Sequence, residues 1–483
     1  MDRPARQPHA GLSRRQVLAG GAGALVLAAA GIQPAGAQVP PAEADHVAAA
    51  LQALGRTRLR EPFSRPFPHL AAGTDTLPGI EHIVVLMLEN HSYDNLFGML
   101  PRGDGFTLDA HGRLTASNPY ADGRIQHAFH MPTTCQLPGK PGQEWKTSHI
   151  QYANGALDGF VISPSGPVAM GYWTGADLPF TYALASQFPI GDRWFCSVLG
   201  QTDPNRRYLI AGTSAGMVDD IGTSPGNLIP DLSLLLPAHG TIFNLLGAYG
   251  LSWRDYCAGF PTGATAELYP LDDLSNLANK KTIADFYADA AAGTLPDFCI
   301  IDPDYSTQSQ ENPQNIVVGE QFLAEVVQAI GASPAWQKTM LIVTYDEHGG
   351  YYDHVPPPPA LAPDLIGPLV QPGESLYEGF RRYGFRVPSV VVSAYARRDH
   401  VSHVLHDHTS VLALVQRKWN LPALTWRDAN ANDLTDFLDL DALTAGKPTF
   451  PALPPLPPSG LNSATQACST TGPGTIPPPG SVS

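Results

Sequence analysis

The chain has 483 residues, with 29 Lys or Arg against 44 Asp or Glu, for a formal charge of −15 at pH 7. That acidity excludes nucleic-acid binding built on phosphate neutralisation, which needs a basic surface, and argues against electrostatic docking to an anionic membrane. A hydrophobic content of 43% suits a globular core, and the length suits one large α/β domain or two smaller ones.

At the N-terminus, Arg14 and Arg15 precede an apolar, Ala- and Gly-rich run over 17–32 and then Ala35, Gly36 and Ala37. Basic, apolar and small residues in that order make residues 1–37 a cleaved export signal, and the paired arginines point to the twin-arginine route. The chain is therefore expected in the periplasm, at the cell surface or in the medium. An apolar run of 16 residues is shorter than the roughly 20 a membrane-spanning helix needs. Cleavage removes four arginines and one aspartate and takes the charge from −15 to −18. Residues 38–78, rich in Ala, Arg and Pro, read as a linker or loosely packed arm, ahead of a catalytic domain expected over 79–446.

The short apolar run at 83–88 suits a strand buried on both faces, and it breaks off into Glu89, Asn90, His91 and Ser92. In open α/β sheets ligands sit beyond the carboxyl ends of the strands, where Glu89 and Asn90 then stand. The plainer reading is a polar turn in which Asn90 satisfies nearby backbone groups. From 101 to 175 the chain is rich in Gly, Pro, Asn and Asp and reads as long loops roofing a pocket. Trp145, His149 and Asp158 fall together there, although a lone His is more often structural than functional. Residues 178–185 have helical spacing. Thr202, Asp203, Pro204, Asn205 and Arg206 then form a turn opening a helix with Tyr208, Leu209 and Ile210. Thr202 or Asp203 suits the helix cap, and the free amides of such a helix start equally suit an anion such as phosphate.

Residues 298–301 suggest a strand running into acids. Phe322, Val326, Val327 and Ile330 share one helical face over 319–330, and 339–345 is a further buried strand. Strand, helix, strand is a parallel-sheet unit. This last strand ends in Asp346, Glu347, His348, Gly349 and Gly350, with Asp353 and His354 shortly after, repeating the arrangement at Glu89. A strand over 387–393 follows. His403, His406, Asp407 and His408 then precede a helix bearing Val411, Leu412, Leu414, Val415 and Trp419, with Asp407 or Thr409 as its cap. The tail over 447–483 reads as too Pro-rich to pack, and so disordered or draped on the surface. Five widely spaced cysteines form no CxxC or CxxH, which disfavours a zinc ribbon or a redox motif. Outside the cytoplasm they allow one or two disulfides, with at least one thiol left over. No internal repeat is visible.

Glu89, Asn90, Asp346 and Glu347 supply hard oxygen ligands, and His149, His354 and His408 add nitrogen ligands or proton donors. Carboxylates converging from two strand ends repel unless a cation lies between them, which points to a divalent metal. Thr202 beside that metal would be an activated nucleophile, with Arg206 and helix amides holding a phosphoryl group. The reaction class is then metal-assisted phosphoryl transfer to Thr202 followed by attack of water.

The segments ENHSYDNLFG, TDPNRRYL, YDEHGGYYDHV and FRVPSVVVS with HDHTSVL resemble, in the same order, the bacterial phosphoesterase family of secreted phospholipases C and acid phosphatases. The resemblance runs from about Ile80 to Leu440 and extends to the paired arginines of the leader. It implies an alkaline-phosphatase-like α/β/α sandwich around a mainly parallel sheet. It further implies one divalent ion (Ca, Mn, Mg or Zn) held by Glu89, Asn90, Thr202, Asp346 and Glu347, with Thr202 as nucleophile and His149 beside the phosphoryl group. His354 matches a catalytic position, and His348 and His408, with Arg206, positions near the substrate. The threonine resembles the phospholipase branch, which implies cleavage of phospholipid phosphodiesters, phosphatidylcholine above all. A phosphomonoesterase with the same nucleophile and a non-catalytic exported lipid- or phosphate-binding protein are the alternatives. One departure is Asn312, where family members commonly carry a His. Asn cannot be a general acid, which shifts leaving-group protonation to another group such as His348 or His354. The chain resembles the short form of the family, without added C-terminal modules, and its oligomeric state is not implied.

Overall fold

A computed structural model describes residues 41–135, 141–220, 236–260, 263–270, 272, 276–462, 468 and 481–482. The export signal expected over 1–37 lies outside the described residues. Among them, no helix is long and apolar enough to cross a membrane.

One sheet organises the chain. Its strands are β1 (His82–Leu88), β2 (Ile190–Gly191), β3 (Trp253–Cys257), β4 (Lys280–Thr282), β5 (Phe298–Asp302), β6 (Thr339–Tyr345), β7 (Ser389–Ser393) and β8 (Val401–Ser402), in the spatial order β8-β2-β7-β6-β1-β5-β3-β4. Only β7 runs antiparallel to its neighbours β6 and β2; the other pairs are parallel. Every residue of β1, β5, β6 and β7 is buried, as expected for strands covered on both faces.

The covering helices form two sets. On one side α4 (Pro179–Gln187) and α7 (Ile283–Ala292) pack on α8 (Ile316–Ala332). On the other α5 (Thr202–Ala211) packs on α6 (Ile242–Ala248) and α9 (Thr409–Trp419). The result is a three-layer α/β/α sandwich around a mainly parallel sheet, as the sequence predicts. The helix expected from 319 begins at Ile316, where the Asn315 side chain accepts the Val317 N–H and so starts it earlier than its apolar stripe. The cap of α9 is His408, not Asp407 or Thr409; the Asp407 carboxylate is taken by the hydroxyls of Ser197 and Thr409.

Two expectations are corrected. Residues 41–78 are not a loose arm: α1 (Pro41–Ala53) leads Ala50, Leu51 and Leu54 into a cluster with Phe195, Leu361, Tyr383 and Leu405. The many alanines hide that apolar face in the sequence. The described part of the tail, 447–462 and Cys468, is draped on the surface as one of its two readings expects, but it is also anchored by packing, which its proline content argued against. Phe450 is buried against Phe188, the Gly460 N–H donates to Glu320, and Cys468 forms a disulfide with Cys135 across 333 residues. Proline prevents regular structure there but not burial of the apolar residues between prolines. Cys196, Cys257 and Cys299 are free thiols, all buried.

Candidate active site

The parallel register of β1 and β6 sets Leu88 opposite Tyr345, so Glu89 and Asn90 leave the sheet beside Asp346 and Glu347. All four are buried. Asn90 adopts φ +68°, a left-handed conformation that Asn tolerates better than most residues. The turn after β6 closes against it. Gly349 also has positive φ, and a Cβ there would lie 1.8 Å from the Asn90 carbonyl oxygen, so only glycine fits. The Asn90 N–H donates to Asp346 Oδ1 at 3.2 Å and the Gly349 N–H to Glu347 Oε2 at 2.8 Å, which fixes both carboxylates.

Thr202 is the first residue of α5 and is half-buried, more accessible than the acids around it. One end of the Asn90 carboxamide lies 3.3 Å from Thr202 Oγ1, 3.1 Å from Asp346 Oδ1 and 2.8 Å from Glu347 Oε1. With nitrogen at that end, Asn90 donates to all three. With oxygen there, four oxygens from four residues converge, the donor set of a hard divalent cation. The residues present therefore fit such an ion.

Electrostatics agree with that fit. Burial raises the pKa of Glu89, Asp346 and Glu347, and repulsion from Asp346 adds to the rise at Glu89 and Glu347. The protein's own counter-charge is Arg206. Its Nε donates to Asp346 Oδ2 at 3.1 Å, Nη1 to Asp302 Oδ1 at 3.1 Å and Nη2 to the Met87 carbonyl at 3.1 Å. All its nitrogens are thus bound to protein, and Arg206 neutralises the acids from below instead of gripping a phosphoryl group. The helix amides are likewise largely spoken for. The Asp203 N–H donates to Asp220 Oδ1 at 2.8 Å and Pro204 has none, which leaves the Thr202 N–H.

The histidines part company. His149, on α3 (Trp145–Tyr152), donates Nδ1–H to the Trp145 carbonyl at 2.7 Å, so neutral His149 keeps a lone pair on Nε2. Its ring stacks on Tyr377 at 3.8 Å, and Nε2 is 3.7 Å from Glu378. Burial lowers its pKa, against the bond to Trp145 and the charge of Glu378. His348 is buried, with Nε2 2.7 Å from Gln151 Oε1 and Nδ1 3.1 Å from Glu347 Oε2; burial takes its pKa down to about 3. It braces Glu347 and is poorly placed as an acid or a substrate contact. His408 donates Nε2–H to the Asp346 carbonyl at 2.6 Å and is pushed down to about 4 by burial. It supports the strand end, and among the described residues its buried Nδ1 has no partner. Asn312 donates to the Tyr351 hydroxyl at 3.3 Å.

His354 belongs to a separate network. Its Nδ1 lies 2.7 Å from Asp94 Oδ2 and its Nε2 3.3 Å from Asp104. Asp94, Asp353 and His354 bring three ligand atoms within 4.8 Å, a grouping able to hold a metal. Arg386, however, already donates to both carboxylates, at 2.9 Å to Asp353 and 3.1 Å to Asp94. Burial pulls the His354 pKa down, but the hydrogen bond and charge of Asp94 and the charge of Asp353 outweigh it and hold it at about 9. With an unfolded value near 6.5, its contribution to stability is full below pH 6.5 and is lost as pH rises through about 9. Melting temperatures measured from pH 6 to 10 should fall less steeply in His354→Gln than in the parent.

Sequence reasoning missed Asp220, Tyr377 and Glu378, which no motif marks and which lie far from their partners in the chain, and it assigned no role to Arg386, although that residue stands in FRVPSVVVS. Asp219 and Asp220 are consecutive acids that accept the first N–H groups of α3 (from Trp145) and α5 (from Asp203), locking His149's helix to that of Thr202.

Acids delivered by two neighbouring strand ends, beside a half-buried threonine at a helix start, stand where open α/β proteins bind their ligands. Residues 80–422 match the family model described as the Phosphoesterase family. Phospholipase C B of Mycobacterium tuberculosis is 31% identical over 453 residues, covering 82% of this chain and 85% of that protein. Non-specific phospholipase C1 of Arabidopsis thaliana is 31% identical over 72% of this chain and 69% of that protein. Hemolytic phospholipase C of Pseudomonas aeruginosa is 27% identical over 76% of this chain and 57% of that protein. Among solved structures, a protein in the alkaline phosphatase superfamily from Vibrio parahaemolyticus aligns over 81% of this chain and 78% of its own at 10% identity, with a TM-score of 0.38. The chain belongs to the phosphoesterase family and is a phosphoric ester hydrolase.

Proposed function

We propose that the protein is an exported, metal-dependent phospholipase C that cleaves phospholipid phosphodiesters, with phosphatidylcholine as the leading substrate. The observation that carries this reading is the half-buried Thr202 hydroxyl beside the oxygens of Asn90, Asp346 and Glu347, in a chain that matches phospholipases C over about four-fifths of its length.

Glu89, Asn90, Thr202, Asp346 and Glu347 would hold one divalent ion, which supplies positive charge for the nucleophile and the phosphoryl oxygens. Thr202 Oγ bonds to phosphorus as the bond from phosphorus to the diacylglycerol oxygen breaks. The proton lost by Thr202 is returned to that leaving oxygen through His149 Nε2. Water then attacks the phosphothreonine, releasing the phosphorylated headgroup and restoring the hydroxyl. The Thr202 N–H donates to a phosphoryl oxygen, and the charge of Arg206 lowers the pKa of Asp346 and Glu89 against the rise that burial causes.

Turnover of a chromogenic choline phosphodiester and of the matching monoester, with and without chelator, tests this. Diester cleavage abolished by chelation and restored by added divalent metal is expected. Monoester cleavage alone would reassign the protein as an acid phosphatase. Cleavage of neither ester across pH and metals would leave the non-catalytic binding protein.

A further inference from the structure

The loop after the proline run holds an apolar cluster that the catalytic reading does not use. Between Pro363 and Tyr377 the structure exposes Leu365 (89%), Leu376 (54%), Leu369 (42%) and Tyr377 (42%). Four large exposed apolar side chains within 13 residues are more than scattered surface leucines require.

The backbone of this segment is tied down while the side chains of Leu365 and Leu376 stay mainly in solvent and those of Leu369 and Tyr377 remain partly exposed. The Thr213 hydroxyl donates to Asp364 Oδ2 at 2.6 Å, and the Leu369 N–H to the Gly216 carbonyl at 2.7 Å. Trp145 Nε1–H donates to the Ser375 carbonyl at 3.0 Å, and Val370 packs on the cluster of Trp145, Val198, Tyr208, Val218 and Phe380. The anchors lie on α3 and just past the end of α5, the two helices that carry His149 and Thr202. At its end the segment meets His149, on which the ring of Tyr377 stacks.

We propose that residues 364–377 are a preformed platform that docks the enzyme on a zwitterionic lipid surface, inserting Leu365, Leu369 and Leu376 beside the entrance to the site. This rests on the phospholipase reading above. Charge selects this occupant: the segment contains Asp364 and Glu374 but no Lys or Arg, in a chain of net charge −15. It therefore offers nothing to anionic headgroups, whereas a choline-rich surface presents its cations outermost. Continuity with Tyr377 and His149 places the reacting ester of a docked lipid next to the chemistry.

The test is sedimentation of the full chain with phosphatidylcholine vesicles and with phosphatidylglycerol vesicles, comparing the parent with Leu365→Ser/Leu376→Ser. Both residues are solvent-exposed, so the fold should tolerate the change. The expected result is at least a tenfold drop in partition to phosphatidylcholine, weak binding of either form to phosphatidylglycerol, and turnover of a soluble choline diester unchanged within twofold. Equal partition of parent and variant, or no vesicle binding by the parent, would overturn the proposal. So would a concentration-dependent dimer of the parent that the variant loses without any change in lipid binding. Vesicle binding that behaves as expected in a protein that cleaves no soluble diester would sink the catalytic reading and leave the docking surface standing.

Discussion

Thr202→Ala is expected to lower kcat on a soluble phosphodiester by a factor on the order of 10⁴ or more, the scale seen when an enzyme loses its nucleophile. The fold should survive, because Thr202 is half-buried and Gln201, not Thr202, occupies the cap position of α5. Stability should change by less than about 1 kcal/mol, since no buried cavity is made. Thr202→Ser keeps the hydroxyl and should retain most of the turnover. Burst kinetics add a readout that a merely structural role would not move: a stoichiometric release of chromophore is expected in the parent if the phosphothreonine forms faster than water removes it, and none in the Ala variant. Full activity in Thr202→Ala would remove the threonine from the mechanism.

The second large effect is expected on stability. Arg206→Met removes the cation that donates to Asp346 and Asp302 and lies 3.7 Å from Glu89, all of them buried. Breaking a buried ion pair by removing one partner costs about 3–5 kcal/mol, because the remaining charges are left without compensation. The denaturation midpoint in urea should fall accordingly. A divalent ion bound by the neighbouring acids should restore part of the loss, since any ligand that binds only the folded state stabilises it by mass action. A variant as stable as the parent would mean that the acids are already neutralised in another way.

The strand ends were legible without coordinates because buried parallel strands are written as unbroken apolar runs, and the polar residues that break the run mark where each strand leaves the sheet. Residues 83–88 and 339–345 followed by Glu89-Asn90 and Asp346-Glu347 show this. The position of Thr202 at a helix start was equally readable from local composition. Arg206 was not. Its spacing in TDPNRRYL puts it one turn along from Thr202, where reaching a substrate and reaching inward look alike, and only the packing of α5 on the sheet turns it toward Asp346. The same holds for His354, bound to Asp94 from 260 residues away, and for the tail, whose prolines conceal the buried Phe450.

By itself the sequence determined the layered α/β framework, the oxygen-rich strand ends, the hydroxyl at the helix start and the family, since each rests on local pattern or on motif order. Tertiary structure alone decided which ring nitrogen of each histidine is engaged, which cation balances the buried acids, which cysteines join and where the apolar loop meets His149. Those are questions of contact between residues distant in the chain, and a contact is set by the packing of whole elements, which no local window of residues encodes.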